Sequence, residues 1–133
     1  MSVTATALAT DIPEALRGAR FVSLTTLRRG GGLVATPVEF VAGGHAIYVR
    51  TARDSGKVKR IRHDPRVRVA TCTMRGRPTG AAFAGTAKLL SDDETRALYA
   101  RFSQKYGLLW RIGVWLRAPK TQGIRIVLDD APA

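Results

Sequence analysis

Apolar and polar residues alternate through RFVSLTTL (20–27), LVATPVEFV (33–41), AIYVRT (46–51) and RVRVATCTM (66–74). A two-residue period rich in Val, Ile and Thr predicts strands that turn one face to a core. GAAFAGTAKLL (80–90), with small residues where neighbours approach closely, and GIRIVL (123–128) predict two more. The segments RRGGG, AGGH and RGRP turn the chain between them. Pro37 cannot donate to a ladder, so its strand is expected to be an edge or to bulge there.

The period becomes helical in SDDETRALYARFSQKYG (91–107). Ser91 and Glu94 form a capping box, Asp92 and Asp93 face the positive end of the helix dipole, and Leu98, Phe102 and Tyr106 recur at every fourth place. LLWRIGVWLR (108–117) reads as a second, less regular helical piece or loop. A short helix is expected at 56–63, stopped by Asp64-Pro65, and another after Thr10 or Asp11, with Pro13 in its first turn and Gly18 at its end. Residues 1–10 are expected to be a flexible N-terminus. The chain of 133 residues has no internal repeat or linker, so 1–133 is read as one domain. Six strands, mostly meandering, make an α+β, mainly β, small barrel with helical decorations.

Composition narrows the class. A hydrophobic content of 45% argues for a globular chain rather than a disordered one. No apolar run approaches the ~18 residues of a membrane span, and the N-terminus lacks the pattern of a secretion signal. The single cysteine, Cys72, reads as a small buried hydrophobe, has no partner for metal or redox chemistry, and suits a reducing cytoplasm.

Charge changes the picture more. The formal net charge is +12, and between Arg50 and Arg77 ten Lys or Arg face only two acids, Asp54 and Asp64. Such a field calls for an anion: a nucleic acid, a membrane surface or a phosphorylated cofactor. A nucleic-acid-binding barrel is disfavoured because the strands lack exposed aromatic pairs for stacking bases, so no nucleic-acid partner is expected.

The cations centre on TARDSGKVKRIR (51–62). There Ser55 can cap the helix, Gly56 lets the backbone approach a ligand, and the helix N-terminus presents free N–H groups. The hydroxyls of Thr51 and Ser55 with the ammonium of Lys57 would complete a phosphate cradle. Val58 and Ile61 would pin the helix to the barrel while Lys59, Arg60 and Arg62 face outward. The plainer alternative is a capped, solvated basic helix. Neither Walker A spacing nor G-x-G-x-x-G is present.

The order of a strand, a Thr36-Pro37-Val38 strand, YVRT, then S-x-K and a helix ending in Asp-Pro resembles the split β-barrel flavin/deazaflavin-binding superfamily that includes the pyridoxamine 5′-phosphate oxidases. Thr51, Ser55 and Lys57 match its T-x-x-x-S-x-K element. The finer likeness is to PPOX-class F420-dependent oxidoreductases, carried by SGKVKRIRHDPRVRVATC with VATPVEF before it and GTAKLL after it, over about residues 20 to 128.

The resemblance implies a homodimer with each cofactor in a groove between protomers. The tricyclic ring would lie along Thr36, Pro37 and Val38 to Glu39, and the phosphate would meet Arg50, Thr51, Ser55, Gly56 and Lys57, with Lys59 and Arg60 beside them. Many relatives carry an aromatic residue where Glu39 stands. The cofactor implied is coenzyme F420, with FMN as the alternative, because a cationic field extending beyond one phosphate suits the longer anionic tail of F420. Hydride transfer to an apolar unsaturated substrate would follow from the cofactor; a carrier that binds without turnover is the other alternative.

A proton would also be required, and Tyr48, His45 and His63 are candidates. Each also has a plainer reading: strand packing for Tyr48, a turn for His45 and a helix-end cation for His63. YGLLWRIGVWLRAPK (106–120) could wall the substrate cavity, cover a dimer seam, rest on a membrane interface, or simply pack over the barrel. No metal is expected.

Overall fold

The computed structural model describes residues 12–117 and 120–132; the flexible stretch expected over 1–10 lies outside them. Six strands, β1 (Phe21–Leu27), β2 (Leu33–Gly43), β3 (Ala46–Ala52), β4 (Arg66–Cys72), β5 (Pro78–Leu89) and β6 (Thr121–Pro132), form the body. Helix α1 (Gly56–His63) follows β3, and α2 (Asp92–Tyr106) and α3 (Leu108–Arg117) separate β5 from β6.

The helix expected after Thr10 or Asp11 is replaced, among the described residues, by a three-residue 3-10 turn, Glu14–Leu16. The chain returns to extended backbone at Arg17, too soon for a costly α-helical nucleus to propagate. Leu16 is nonetheless fully buried and anchors the turn beneath the barrel.

The strands close in the order β1-β2-β3-β6-β5-β4, every pairing antiparallel. The topology departs from a meander at one place: the last strand inserts between β3 and β5. β4 ends at Cys72 rather than Met74, since the Thr73 N–H donates to the Arg77 carbonyl at 2.9 Å and closes a turn.

β2 is split between its two neighbours. Residues 33–39 pair along β1, from Leu27↔Leu33 to Phe21↔Glu39, whereas β3 meets only Phe40 to Gly43. Among the described residues, the flank of 33–39 away from β1 therefore has no strand partner, and Pro37 falls on this half-strand, as its missing N–H requires.

Val22, Leu24, Ile47, Val49, Val69, Ile124 and Ile126 fill the barrel interior without measurable exposure. Each contributes roughly 1.5–3 kcal/mol by burial. A second apolar cluster, Val41, Leu90, Leu98, Phe102 and Tyr106, lies outside the wall, where α2 packs across β6, β2 and β3.

The start of α2 is fixed by its capping box: the Glu94 N–H donates to Ser91 Oγ at 3.2 Å and the Ser91 N–H to Glu94 Oε1 at 3.0 Å. Gly123 allows the close approach, donating its N–H to Thr95 Oγ1 at 3.0 Å where a Cβ would lie 2.9 Å from the same oxygen. Gly123 is also the register partner of Arg50, so this contact sets α2 against the outward face of β3 at the corner.

Candidate cofactor groove

At the end of β3 the chain turns into α1 as its residues dictate. Ser55 is extended (φ −66°, ψ 157°), its Oγ accepts from the Val58 N–H at 3.4 Å, and Thr51 Oγ1 donates to it at 3.4 Å. Val58 and Ile61, 0% and 4% exposed, hold the helix against the barrel. Lys57 is thereby left half-buried beside the corner, and its ammonium is pushed below the usual lysine range by burial and then by the neighbouring Arg60 charge.

Lys57 lines a cleft of about 450 Å³ with Phe21, Pro37, Val38, Glu39, Arg50, Thr51 and Met74. This volume falls within the roughly 300–1,000 Å³ range of small-molecule sites. Of the residues singled out from the sequence, Pro37, Val38, Arg50, Thr51 and Lys57 meet on this one wall. Ser55 and Gly56 sit directly behind it at the helix cap. The half-strand without a second partner forms one side of the cleft, so its free backbone flank borders the space.

Thr36 lies on the same half-strand, with a buried Oγ1 that has no partner among the described residues. Lys59 is exposed to solvent and is not on the lining. Arg60 departs from its expected outward direction: its Nε donates to Thr26 Oγ1 on β1 at 2.6 Å, and its guanidinium covers Gly56. It therefore braces the helix against the barrel.

Arg50 has an environment that the sequence did not reveal. Its guanidinium carbon is 5.7, 5.8 and 5.1 Å from the ring centres of Tyr99, Phe102 and Trp110, three rings supplied by α2 and α3. Such stacking suits a delocalised cation. Its Nε is buried with no hydrogen-bond partner among the described residues, and burial lowers its pKa, with Tyr99 and Glu39 opposing the shift. A buried donor left unmatched in a cleft is costly unless something binds there.

Trp110 also donates its Nε1–H to Glu39 Oε1 at 3.1 Å, linking α3 to β2 across the groove. Two further clefts meet the first through Arg50. One, about 340 Å³, runs past Glu39, Ala52, Phe102, Trp110 and Val114; the other, about 500 Å³, passes Arg53, Asp92, Arg96 and Tyr99. α3 thus packs on α2, reaches Glu39 of β2 through Trp110 and lines the cleft of about 340 Å³.

Tyr48 takes its packing role, stacked under Arg101 at 5.3 Å and accepting from Arg125 Nε at 3.4 Å. Neither Tyr48, His45 nor His63 lines these three clefts. Cys72 is only half-buried, and burial pushes its thiol up.

Behind Glu39, the Phe40 backbone is held by two side chains of α2. The Tyr106 hydroxyl accepts from the Phe40 N–H at 2.9 Å and lies 2.8 Å from the Arg20 carbonyl, to which it donates, while Lys105 Nζ donates to the Phe40 carbonyl at 2.8 Å. Burial lowers Lys105 to about 8, opposed by Glu39, and raises Tyr106 to about 12.

The two shifts have opposite signs. From about 8 up to the ordinary lysine value of 10.5 the unfolded chain binds more protons at Lys105 than the folded one, so stability rises with pH. Tyr106, raised above its ordinary 10.0, stabilises fully below that value, and this is lost as pH climbs toward about 12. Thermal melts across the alkaline range should show a rise and then a fall. In Lys105→Met the rising limb should shrink and the falling limb persist; identical profiles would remove Lys105 from this account.

A family model described as pyridoxamine 5′-phosphate oxidase matches residues 8–130. Solved structures share the architecture. An F420 reductase is 16% identical, with a TM-score of 0.65, over 90% of this chain and 93% of that one. General stress protein 26 from Bacillus anthracis is 24% identical, with a TM-score of 0.60, over 86% and 84%. An FAD-binding protein from Mesorhizobium loti is 16% identical, with a TM-score of 0.58, over 88% and 84%. At these identities the likeness is one of fold. Comparison with functionally curated proteins returned no match.

Proposed function

Since the chain belongs to the pyridoxamine 5′-phosphate oxidase family, we propose that it is an oxidoreductase that uses coenzyme F420, with the cofactor held along β2 and at the α1 corner. The observation that carries the reading is Arg50, a half-buried cation whose buried Nε has no partner among the described residues, at the junction of three clefts. Lys57, Arg50, Arg53 and Arg96 lie along these clefts, Arg53 paired with Asp92 at 2.7 Å and Arg96 with Asp93, and a row of basic side chains longer than one phosphate supports the extended anionic tail of F420 over FMN once a ligand competes for those pairs.

In this reading Thr51, Ser55, Gly56 and Lys57 hold the phosphate, with the α1 N-terminus adding its free N–H groups, and Lys59 supplies outer charge. Arg60 acts through Gly56, keeping the helix start in place. Thr36, Pro37 and Val38 present their unpaired flank to the ring edge, and the Thr36 hydroxyl provides a further donor or acceptor. When bound, reduced F420 supplies a hydride. Ala52, Phe102, Trp110 and Val114 form an apolar wall that would exclude water and accept an apolar unsaturated substrate. The proton that must accompany the hydride can come from solvent. A homodimer in the cytoplasm, its second protomer closing the open side of the groove, completes the proposal.

Trp110 makes this testable by fluorescence, because its indole lines the groove. Titration with F420 and, separately, with FMN should give saturable quenching by F420 at least ~10-fold tighter than by FMN, a difference of about 1.4 kcal/mol. Tighter FMN binding would move the protein to flavin chemistry. Failure of both would remove the cofactor assignment while leaving the barrel intact.

A further inference from the structure

We propose, resting on the oxidoreductase reading, that Glu39 selects the substrate: its free carboxylate oxygen accepts a hydrogen bond from an uncharged, largely apolar molecule that carries a hydroxyl or N–H group. Glu39 is half-buried on the wall of two clefts, the one along β2 and the one of about 340 Å³ beside α3. No other carboxylate stands on the described lining of either. Its Oε1 accepts from Trp110 Nε1 at 3.1 Å, and its Oε2 has no hydrogen-bond or ion-pair partner among the described residues.

The carboxylate is held in place. Its backbone sits opposite Phe21 of β1, and the next peptide is gripped from α2, by Tyr106 at the Phe40 N–H and by Lys105 at the Phe40 carbonyl. Trp110 is wedged in turn by ring contacts of 5.3 Å to Tyr99 and 5.7 Å to Phe102. An acceptor fixed by supports of its own discriminates sharply, since a ligand that covers it without donating leaves it desolvated and unmatched.

The surroundings decide which donor fits. An ionised carboxylate accepts only. Ala52, Phe102, Trp110 and Val114 on the same lining favour an apolar body. Arg50 is there too, close enough for the Glu39 charge to oppose the lowering of its pKa. A ligand ammonium at Glu39 would meet that guanidinium, and a ligand carboxylate would be repelled by Glu39 itself. A neutral O–H or N–H meets neither objection.

The experiment reads binding rather than turnover. Fluorine NMR follows para-fluorophenol, which has the donor, and para-fluoroanisole, in which that donor is methylated, titrated into the full chain without cofactor and again with F420. Wild type should favour the phenol in both states, and Glu39→Gln should cut that preference at least ~10-fold, the scale of one hydrogen bond to a charged group. Gln keeps an oxygen for the Trp110 N–H but sets an amide N–H₂ where the free oxygen was, so both probes then meet a donor. Trp110→Phe, which removes the indole N–H and leaves the carboxylate, should keep the preference. Thermal melts check the fold of each variant, and Glu39→Ser removes the carboxylate a second way should Glu39→Gln not fold.

Wild type binding both probes alike, a preference unchanged in Glu39→Gln, or para-fluorobenzylamine bound more tightly than the phenol would each overturn the proposal. A preference lost in Trp110→Phe and kept in Glu39→Gln would assign the selection to the indole instead. The cofactor titration fails separately: a phenol preference without binding of F420 or FMN would leave a donor-selective cleft and remove the oxidoreductase, whereas cofactor binding without the preference would remove this inference alone.

Discussion

Replacing Arg50 with Met is expected to weaken cofactor binding by about 100-fold, the effect of losing charge-assisted hydrogen bonds worth roughly 1.5–3 kcal/mol. Met keeps an apolar stem against Tyr99, Phe102 and Trp110 but removes the cation on which the clefts converge. The fold should tolerate the change. Arg50 makes the wild-type protein bury an unmatched Nε, and its lowered pKa is caused first by burial, so the charged group is held at a cost. The cation–π attraction that Met cannot supply is worth about 0.5–2 kcal/mol, which the relieved burial offsets. Thermal midpoint and cofactor titration therefore need to be read together. Weak binding with an unchanged midpoint supports a ligand-directed Arg50. Unchanged binding with a collapsed midpoint would make Arg50 a structural residue and take the groove's centre away. Lys57→Ala, which removes one of several phosphate partners, should cost less, about 10-fold.

Phe102→Ala should be the most damaging single truncation, lowering stability by about 3–5 kcal/mol against a typical total of about 5–15 kcal/mol. Phe102 is 1% exposed and joins α2 to α3: its ring centre lies 5.9 Å from Tyr106 on its own helix and 5.7 Å from Trp110 on the next. The resulting cavity would border the cleft itself, so Trp110 would lose its stacked partner and Glu39 its fixed donor. Urea melts should report the stability loss, and the Trp fluorescence should shift to the red as the indole becomes wetter. Phe102→Leu, which refills most of the volume, should recover much of both. A Phe102→Ala midpoint within about 1 kcal/mol of wild type would mean that α2 and α3 are not packed as described.

Local chemistry was readable from the chain alone where a residue acts on its near neighbours. Ser91 with Glu94, Ser55 before α1 and Pro37 on a strand flank all declare themselves over a few positions, and each is found where the pattern places it. The corner where Thr51, Ser55 and Lys57 come together was legible for the same reason, since the three are close in sequence. What could not be read joins distant segments. Nothing near Arg50 signals that three rings some fifty residues later will stack on it, because the spacing of Tyr99, Phe102 and Trp110 is satisfied equally by an ordinary helix core. Arg60 shows the converse. Its outward direction followed from the apolar stripe of α1, but Thr26, from another strand, offers a closer partner. The short 3-10 turn at Glu14–Leu16 had the composition of a helix start without the length to sustain one.

The place of β6 between β3 and β5 also orders events in time. During synthesis the chain leaves the ribosome from its N-terminus, so Arg50, Thr51 and Lys57 emerge long before their completing neighbours. Until residues 121–132 are available, β3 and β5 are both open edges, and Arg50 has no Gly123 opposite it. The corner at Arg50, Thr51 and Lys57 is then a basic turn without a wall. Completion of the corner is thus tied to the final strand, and a nascent chain would carry its many arginines past the acidic surfaces of the cell before the groove around Arg50 had taken shape.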